Sequence, residues 1–233
     1  ERLAGVAVVV EDAWGDPVDA NKVADAFKKN PDAKILAFVH AETSTGALSD
    51  VKSLVALAHQ HHALAIVDAI TSLGGVPLKV DEWHIDAIYS GTQKCLSCPP
   101  GLSPISFSER AVEKIKARKT RVASWFLDLT LVMGYWGAGV RRTYHHTAPV
   151  NALYGLHEAL VMLQEEGLEN SWARHELHHQ TLRTGLESLG FEYIGKDGAR
   201  LPQLNAVKLP AGVDEAKLRS ILLNEFNLEI GAG

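Results

Sequence analysis

Three short apolar runs, Ile35–Val39, Ala63–Val67 and Ile85–Tyr89, each close on polar or small residues. The first opens into His40-Ala41-Glu42-Thr43-Ser44-Thr45-Gly46. The second stops on Asp68, and the third leads into Ser90-Gly91-Thr92-Gln93-Lys94. Short continuous apolar runs of this kind read as strands buried in a parallel sheet, with polar residues delivered at their carboxyl ends. The strands are placed at Ile35–His40, Ala63–Asp68 and Asp86–Ser90. Between them the apolar spacing becomes helical. Asp19–Lys28 has that spacing, with Asp16-Pro17 ahead and Asn30-Pro31 behind as a stop. Ser49-Asp50 caps a second predicted helix over Val51–His62, with Leu54, Leu57 and Ala58 on one face. Gly74-Gly75 and Pro77 break the chain after the second strand. Val6–Val10 and Ser103–Phe107 read as further strands, and Glu109–Arg118 as a helix. Strand and helix in alternation predict an α/β fold, a mostly parallel mixed sheet covered by helices with right-handed crossovers.

The pattern then changes. Trp125 to His146 is aromatic and glycine-rich, with Trp136-Gly137-Ala138-Gly139 and Thr143-Tyr144-His145-His146-Thr147, and reads as irregular. Pro149 opens a long helical pattern through about Glu166, with Leu153, Leu156, Leu160 and Leu163 at core spacing. Gly167 interrupts it, and a second helix spans about Ser171–Leu189. Gln203–Leu209 reads as a strand, Asp214–Phe226 as a helix and Leu228–Ile230 as a strand. This tail has its own α+β pattern. It predicts a division into residues 1–166, the central and C-terminal part of a large domain, and 167–233, part of a smaller one. A strand-like run almost at residue 1 and a glycine-rich ending predict a piece of a longer chain.

Composition narrows the function classes. With 46% hydrophobic and 22% charged residues the chain has ordinary globular composition. A formal net charge of −5 argues against a nucleic-acid partner, and Arg118-Lys119-Thr120-Arg121 reads as a solvated face. No apolar run is long enough to span a bilayer, so no membrane partner is expected. Two cysteines cannot form a disulfide framework, which fits a reducing compartment: cytoplasm, with peroxisome or mitochondrion open for a eukaryotic source. Cys95 and Cys98 have CxxC spacing, but a zinc site wants four ligands and no second pair exists, so no metal is expected. His61-His62 and His178-His179 diverge on their helices and read as solvated, as does Arg141-Arg142.

The strand-end residues carry the chemistry. A carboxylate on one strand and a lysine beyond the next suit pyridoxal 5'-phosphate, which needs an amine for its Schiff base and an acidic partner for its pyridinium nitrogen. Asp68 and Lys94 are placed for those roles. Asp68 also reads as a strand-end carboxylate capping a loop, and Lys94 as a surface lysine. The small and hydroxyl residues before Lys94 favour a ligand, since they let backbone and donors approach a phosphate. Thr43 suits a hydrogen bond to the cofactor's phenolic oxygen, or a cap or turn of its own.

His40 to Gly46, Val67-Asp68 with Ser72-Leu73-Gly74-Gly75, Tyr89 to Lys94, and Tyr144-His145-His146-Thr147-Ala148-Pro149 resemble the alanine–glyoxylate (serine–pyruvate) aminotransferases, class V members of the fold-type I pyridoxal-phosphate enzymes. The similarity continues through Gly167 to Trp172 and Arg200-Leu201-Pro202. It implies that Lys94 carries the cofactor, that Asp68 pairs with the ring nitrogen and that Ile70 packs on the ring. Thr43 would touch the phenolic oxygen and Gln93 the phosphate. Tyr144 and Thr147 would reach the phosphate of the neighbouring subunit, making a homodimer part of the site. The reaction implied moves an amino group from alanine or serine to glyoxylate or pyruvate by a ping-pong cycle. The family's upstream phosphate-binding turn, its ring-stacking aromatic and its substrate-carboxylate arginine match nothing in these 233 residues, which are not expected to be competent alone. A cysteine desulfurase-like or kynurenine-pathway enzyme, and a non-catalytic paralogue, are the rival readings.

Overall fold

The computed structural model describes residues 5–136, 141 and 143–232. In chain order the elements are α1 (Ala20–Lys29), β1 (Ile35–Val39), α2 (Val51–Gln60), β2 (Leu64–Asp68), β3 (Ala87–Tyr89), β4 (Ile105–Phe107), α3 (Glu109–Lys116) and α4 (Leu129–Trp136). Then follow α5 (Val150–Glu166), α6 (Leu168–Ser188), β5 (Glu192–Tyr193), β6 (Val207–Lys208) and α7 (Glu215–Phe226). Side-chain caps start several of the helices. Asp19 accepts from Asn21 N, Asp50 from Ser53 N, Ser108 from Ala111 N and Asp214 from Lys217 N. Each satisfies a backbone donor that the first helical turn leaves free.

The main sheet has the order β1-β2-β3-β4, the first two pairings parallel and β3–β4 antiparallel. One face packs on α1 and α2 through Ala65, Val67, Val23, Phe27, Leu54, Val55 and Ala58, all buried. Alanines at 58, 63, 65 and 69, all fully buried, leave little bulk between helix and sheet. The fold is the expected α/β class, with a mixed, mostly parallel sheet. The β2–β3 connection carries turns instead of a helix.

Asp86 lies at the foot of β3, 1% exposed. It accepts from Ala65 N (2.9 Å), His59 Nε2 (2.8 Å), Ser108 Oγ (3.2 Å) and Arg110 NH1 (3.2 Å). One carboxylate thus ties β2, α2 and the start of α3 together, and a buried charge persists only when partnered in this way.

Residues 195–204 dock on the loop after β1. Ala47 bridges Arg200, Leu201 N donates to Gly46 O at 2.7 Å, and Leu48 N donates to Ala199 O at 2.9 Å. Leu201, fully buried, packs with Ala41 and Val76. Gly46 has φ +75°, and a Cβ there would lie 3.0 Å from Leu204 O, so both conformation and space call for glycine.

Several expectations are corrected. Val6–Val10 is not a strand: no described strand pairs with it, and Val6 is 97% exposed. Leu228–Ile230 likewise has no ladder. Gln203–Leu209 reduces to the two-residue β6, whose partner β5 has too few residues to show a pattern. The irregular reading of Trp125–His146 fails over α4, which Asp128 starts by accepting from Thr130 N. Gly137–Gly139 of that stretch, and Arg142, lie outside the described residues. His179 is buried against Tyr193 and bonds Asn205 Oδ1 at 2.6 Å, and His61 stacks on Phe27 at 4.6 Å, so neither is simply solvated. Among the described residues no helix is long and apolar enough to cross a membrane.

Candidate active site

Parallel pairing sets the carboxyl ends of three strands level. Val39 pairs with Asp68, and Asp68 with Tyr89. Paired residues share a face, so the Tyr89 phenol meets the Asp68 carboxylate. The phenol's pKa is pushed up to about 12, by burial first and then by its hydrogen bond to Asp68 and that group's charge. Asp68 Oδ1 also accepts from Ile70 N at 2.9 Å. The loops leaving the strands are stitched together. His40 N donates to Asp68 O, Ala69 N to Tyr89 O, and Ser90 Oγ to Ala69 O.

The Thr43 and Thr71 hydroxyls lie 2.6 Å apart, joining the loop after β1 to the loop after β2. Thr71 is buried while Thr43 is exposed. Glu42 accepts from Ser44 N and Oγ, which shapes that first loop.

The loop after β3 is pinned from inside. Thr92, fully buried, donates its hydroxyl to Pro99 O at 2.8 Å, and Cys98 N donates to Thr92 O. Gln93 and Lys94 remain exposed on the pinned loop. A Cβ at Gly91 would come within 2.6 Å of Gln93 Oε1, so the Gln93 side chain lies over Gly91. Lys94 opens on a cleft of about 590 Å³ that Thr71, Cys95, Arg174, His175 and Gln203 also line. Both cysteines are free. Burial pushes the Cys95 thiol up, against a hydrogen bond from Gln203 and the charge of Lys94.

Tyr144 and Thr147 are brought together, hydroxyl to hydroxyl at 2.7 Å, both exposed. His145 beside them stacks on Trp125 at 4.0 Å. Neither Tyr144 nor Thr147 lines the Lys94 cleft. The chain therefore groups the expected residues in parts: Asp68 with Ile70, Thr43 with Thr71, and Tyr144 with Thr147; of these only Thr71 shares the cleft with Lys94. Sequence reasoning missed Tyr89 as the partner of Asp68. Its signal was its position as the last residue of β3, level with the last residue of β2.

Residues 13–233 match the Aminotransferase class-V family. The chain belongs to the class-V aminotransferases. It is 42% identical over 201 residues to the alanine–glyoxylate aminotransferase of Rattus norvegicus, covering 85% of this chain and 49% of that protein. It is 36% identical to the (S)-ureidoglycine–glyoxylate transaminase of Bacillus subtilis, covering 100% of this chain and 59% of that one. The crystal structure of an alanine–glyoxylate aminotransferase from Nostoc sp. superposes with a TM-score of 0.89 at 43% identity, over 96% of this chain and 59% of that one. The chain thus spans about half the length of these relatives. Membership of this aminotransferase family implies pyridoxal phosphate as cofactor.

Proposed function

We propose that the protein of which these residues form part is a pyridoxal-phosphate transaminase that moves an amino group from alanine or serine to glyoxylate or pyruvate in a ping-pong cycle. What supports this most is one arrangement: Lys94 opening on a cleft that also holds Thr71, bonded to Thr43, in a chain whose relatives include alanine–glyoxylate aminotransferases.

The donor set fits the cofactor. Asp68 at a strand end offers a carboxylate to the ring nitrogen, and Tyr89 and Ile70 N hold it in place. Thr43, its hydroxyl 2.6 Å from that of Thr71, would hydrogen-bond the ring oxygen, and Ile70 would pack on the ring. Gln93, exposed on the lysine loop, would serve the phosphate. Pyridoxal phosphate supplies the electron sink that lets an amino acid lose its α-proton. Lys94 Nζ is the amine that would hold the cofactor's aldehyde end, and the same amine would serve as general base for the α-proton. The Asp68 carboxylate would keep the ring nitrogen protonated, which would stabilise charge arising in the transition state.

Two further assignments belong to this reading. The active unit is a homodimer in which Tyr144 and Thr147 of one subunit reach the phosphate of the other, as their paired and outward-facing hydroxyls suit. The chain divides at Gly167 into part of a large cofactor-binding domain and part of a small domain. A desulfurase reading is disfavoured by the cysteines. Such an enzyme needs a reactive thiolate, whereas Cys98 is buried and burial raises the Cys95 thiol.

The test is Lys94→Ala in the full-length protein. Borohydride reduction should fix the cofactor to Lys94 in the wild type, and the variant should lose both that adduct and transamination. An adduct on another lysine would refute the assignment.

A further inference from the structure

Gln203 follows Arg200-Leu201-Pro202, 132 positions from the residue it holds. Its Nε2 donates to Thr71 O at 2.8 Å. Only the nitrogen end of an amide can donate to a carbonyl, so this bond sets which way the side chain points. The same carbonyl accepts from Cys95 Sγ at 3.3 Å, and the Gln203 amide also bonds that sulfur. Three groups therefore meet at one oxygen. One belongs to the segment after Gly167, one is the residue next to Lys94, and the third is Thr71, whose hydroxyl lies 2.6 Å from that of Thr43.

Gly75 makes room for this junction. A Cβ there would lie 2.6 Å from Cys95 Sγ and 2.8 Å from Gln203 Nε2. Gln203 and Cys95 both line the cleft on which Lys94 opens. A bond to the backbone of residue 71 limits how far that loop can shift. The Thr71 hydroxyl then has a defined place from which to orient Thr43.

We propose that Gln203 is a positioning residue of the pyridoxal-phosphate site, holding Thr71 and through it the Thr43 hydroxyl that would bond the cofactor's ring oxygen. This rests on the cofactor role given to Thr43 above. It makes the segment after Gly167 a structural partner of the cofactor loops as well as a neighbour of the cleft.

The experiment titrates pyridoxal phosphate into the cofactor-free full-length protein, following intrinsic fluorescence and the absorbance band of the bound cofactor. Four proteins are compared: wild type, Gln203→Met, Thr43→Val and the double variant. Methionine keeps the side chain's length and volume and removes the donor. Loss of one such bond should weaken cofactor binding about fivefold to tenfold, with a shift of the absorbance band. In the Thr43→Val background the same change should cost less than about twofold, because the two act through one path. Gly75→Ala, which displaces the same side chains without deleting them, should repeat the pattern.

Wild-type affinity in Gln203→Met would overturn the proposal. An equal loss with and without the Thr43 hydroxyl would do so too, since that marks a general packing role. Wild-type protein that binds no pyridoxal phosphate would instead remove the functional reading itself. Circular dichroism melts confirm that each variant is folded before titration.

Discussion

Replacing Asp86 by alanine removes one acceptor and strands several donors. The Ala65 N–H, now 2.9 Å from a carboxylate oxygen, would be left buried in the middle of the sheet. An orphaned buried donor costs about 1–3 kcal/mol. Arg110 would lose an ionic partner and His59 a hydrogen-bond partner, but their side chains are 41% and 30% exposed and can turn toward water, so they add less. Ser108 would keep its role as acceptor for Ala111 N while losing its own acceptor. Together these place Asp86→Ala at about 3–4 kcal/mol destabilising, within the range for breaking a buried pair. That is a large part of the total stability of an ordinary domain. Asp86→Asn keeps one oxygen for Ala65 N and His59 but turns an amide donor on Ser108 Oγ and Arg110, and should cost about 2 kcal/mol. Arg110→Met should cost less than either. Urea denaturation followed by circular dichroism reads these differences as shifts in midpoint at unchanged slope. Asp86→Ala within about 0.5 kcal/mol of wild type would show that the carboxylate does not hold β2, α2 and α3 together.

Stability should also fall in mild acid because of His40. Burial lowers its pKa from 6.5 to about 4. The unfolded chain therefore binds a proton that the folded chain refuses, and stability is lost as pH falls from about 6.5 toward about 4. Two and a half pH units at about 1.4 kcal/mol each set a ceiling of about 3 kcal/mol. Urea midpoints at pH 5 and pH 7.5 should diverge in the wild type and converge in His40→Gln. An equal pH dependence in both proteins would contradict this. On the proposed shared site, Thr147→Ala in the full-length protein should weaken cofactor binding by about 1.5–3 kcal/mol, the worth of one hydrogen bond to a charged group, with oligomeric state followed alongside by light scattering. Unchanged affinity would remove Thr147 from the phosphate site.

Much of this protein is local in origin and was legible from the chain. The apolar runs at Ile35, Ala63 and Ile85 became β1, β2 and β3, because a buried parallel strand needs only a short apolar stretch and a polar exit. The helix over Val51 followed from spacing and from Asp50 as its cap; the helix over Glu109 was legible too, though its cap, Ser108, was not. Asp68 and Lys94 stood out because strand ends are where such a sheet delivers its chemistry. What remained hidden depends on partners distant in sequence. Val6–Val10 has strand composition, yet a strand exists only when another supplies its ladder. Tyr89 meets Asp68 only because β2 and β3 pair in one register. Thr43 finds Thr71 across 28 positions, Arg110 finds Asp86 across 24, and Gln203 finds Thr71 across 132. Spacing and capping are written into neighbouring residues, and so the sequence by itself determined β1, β2 and β3 with the helices over Val51 and Glu109, and placed Asp68 at the end of β2 and Lys94 beyond β3. The hydrogen bonds among the loops around them join segments with no shared periodicity, and only the packed sheet and the segment 195–204 docked on the loop after β1 decided them.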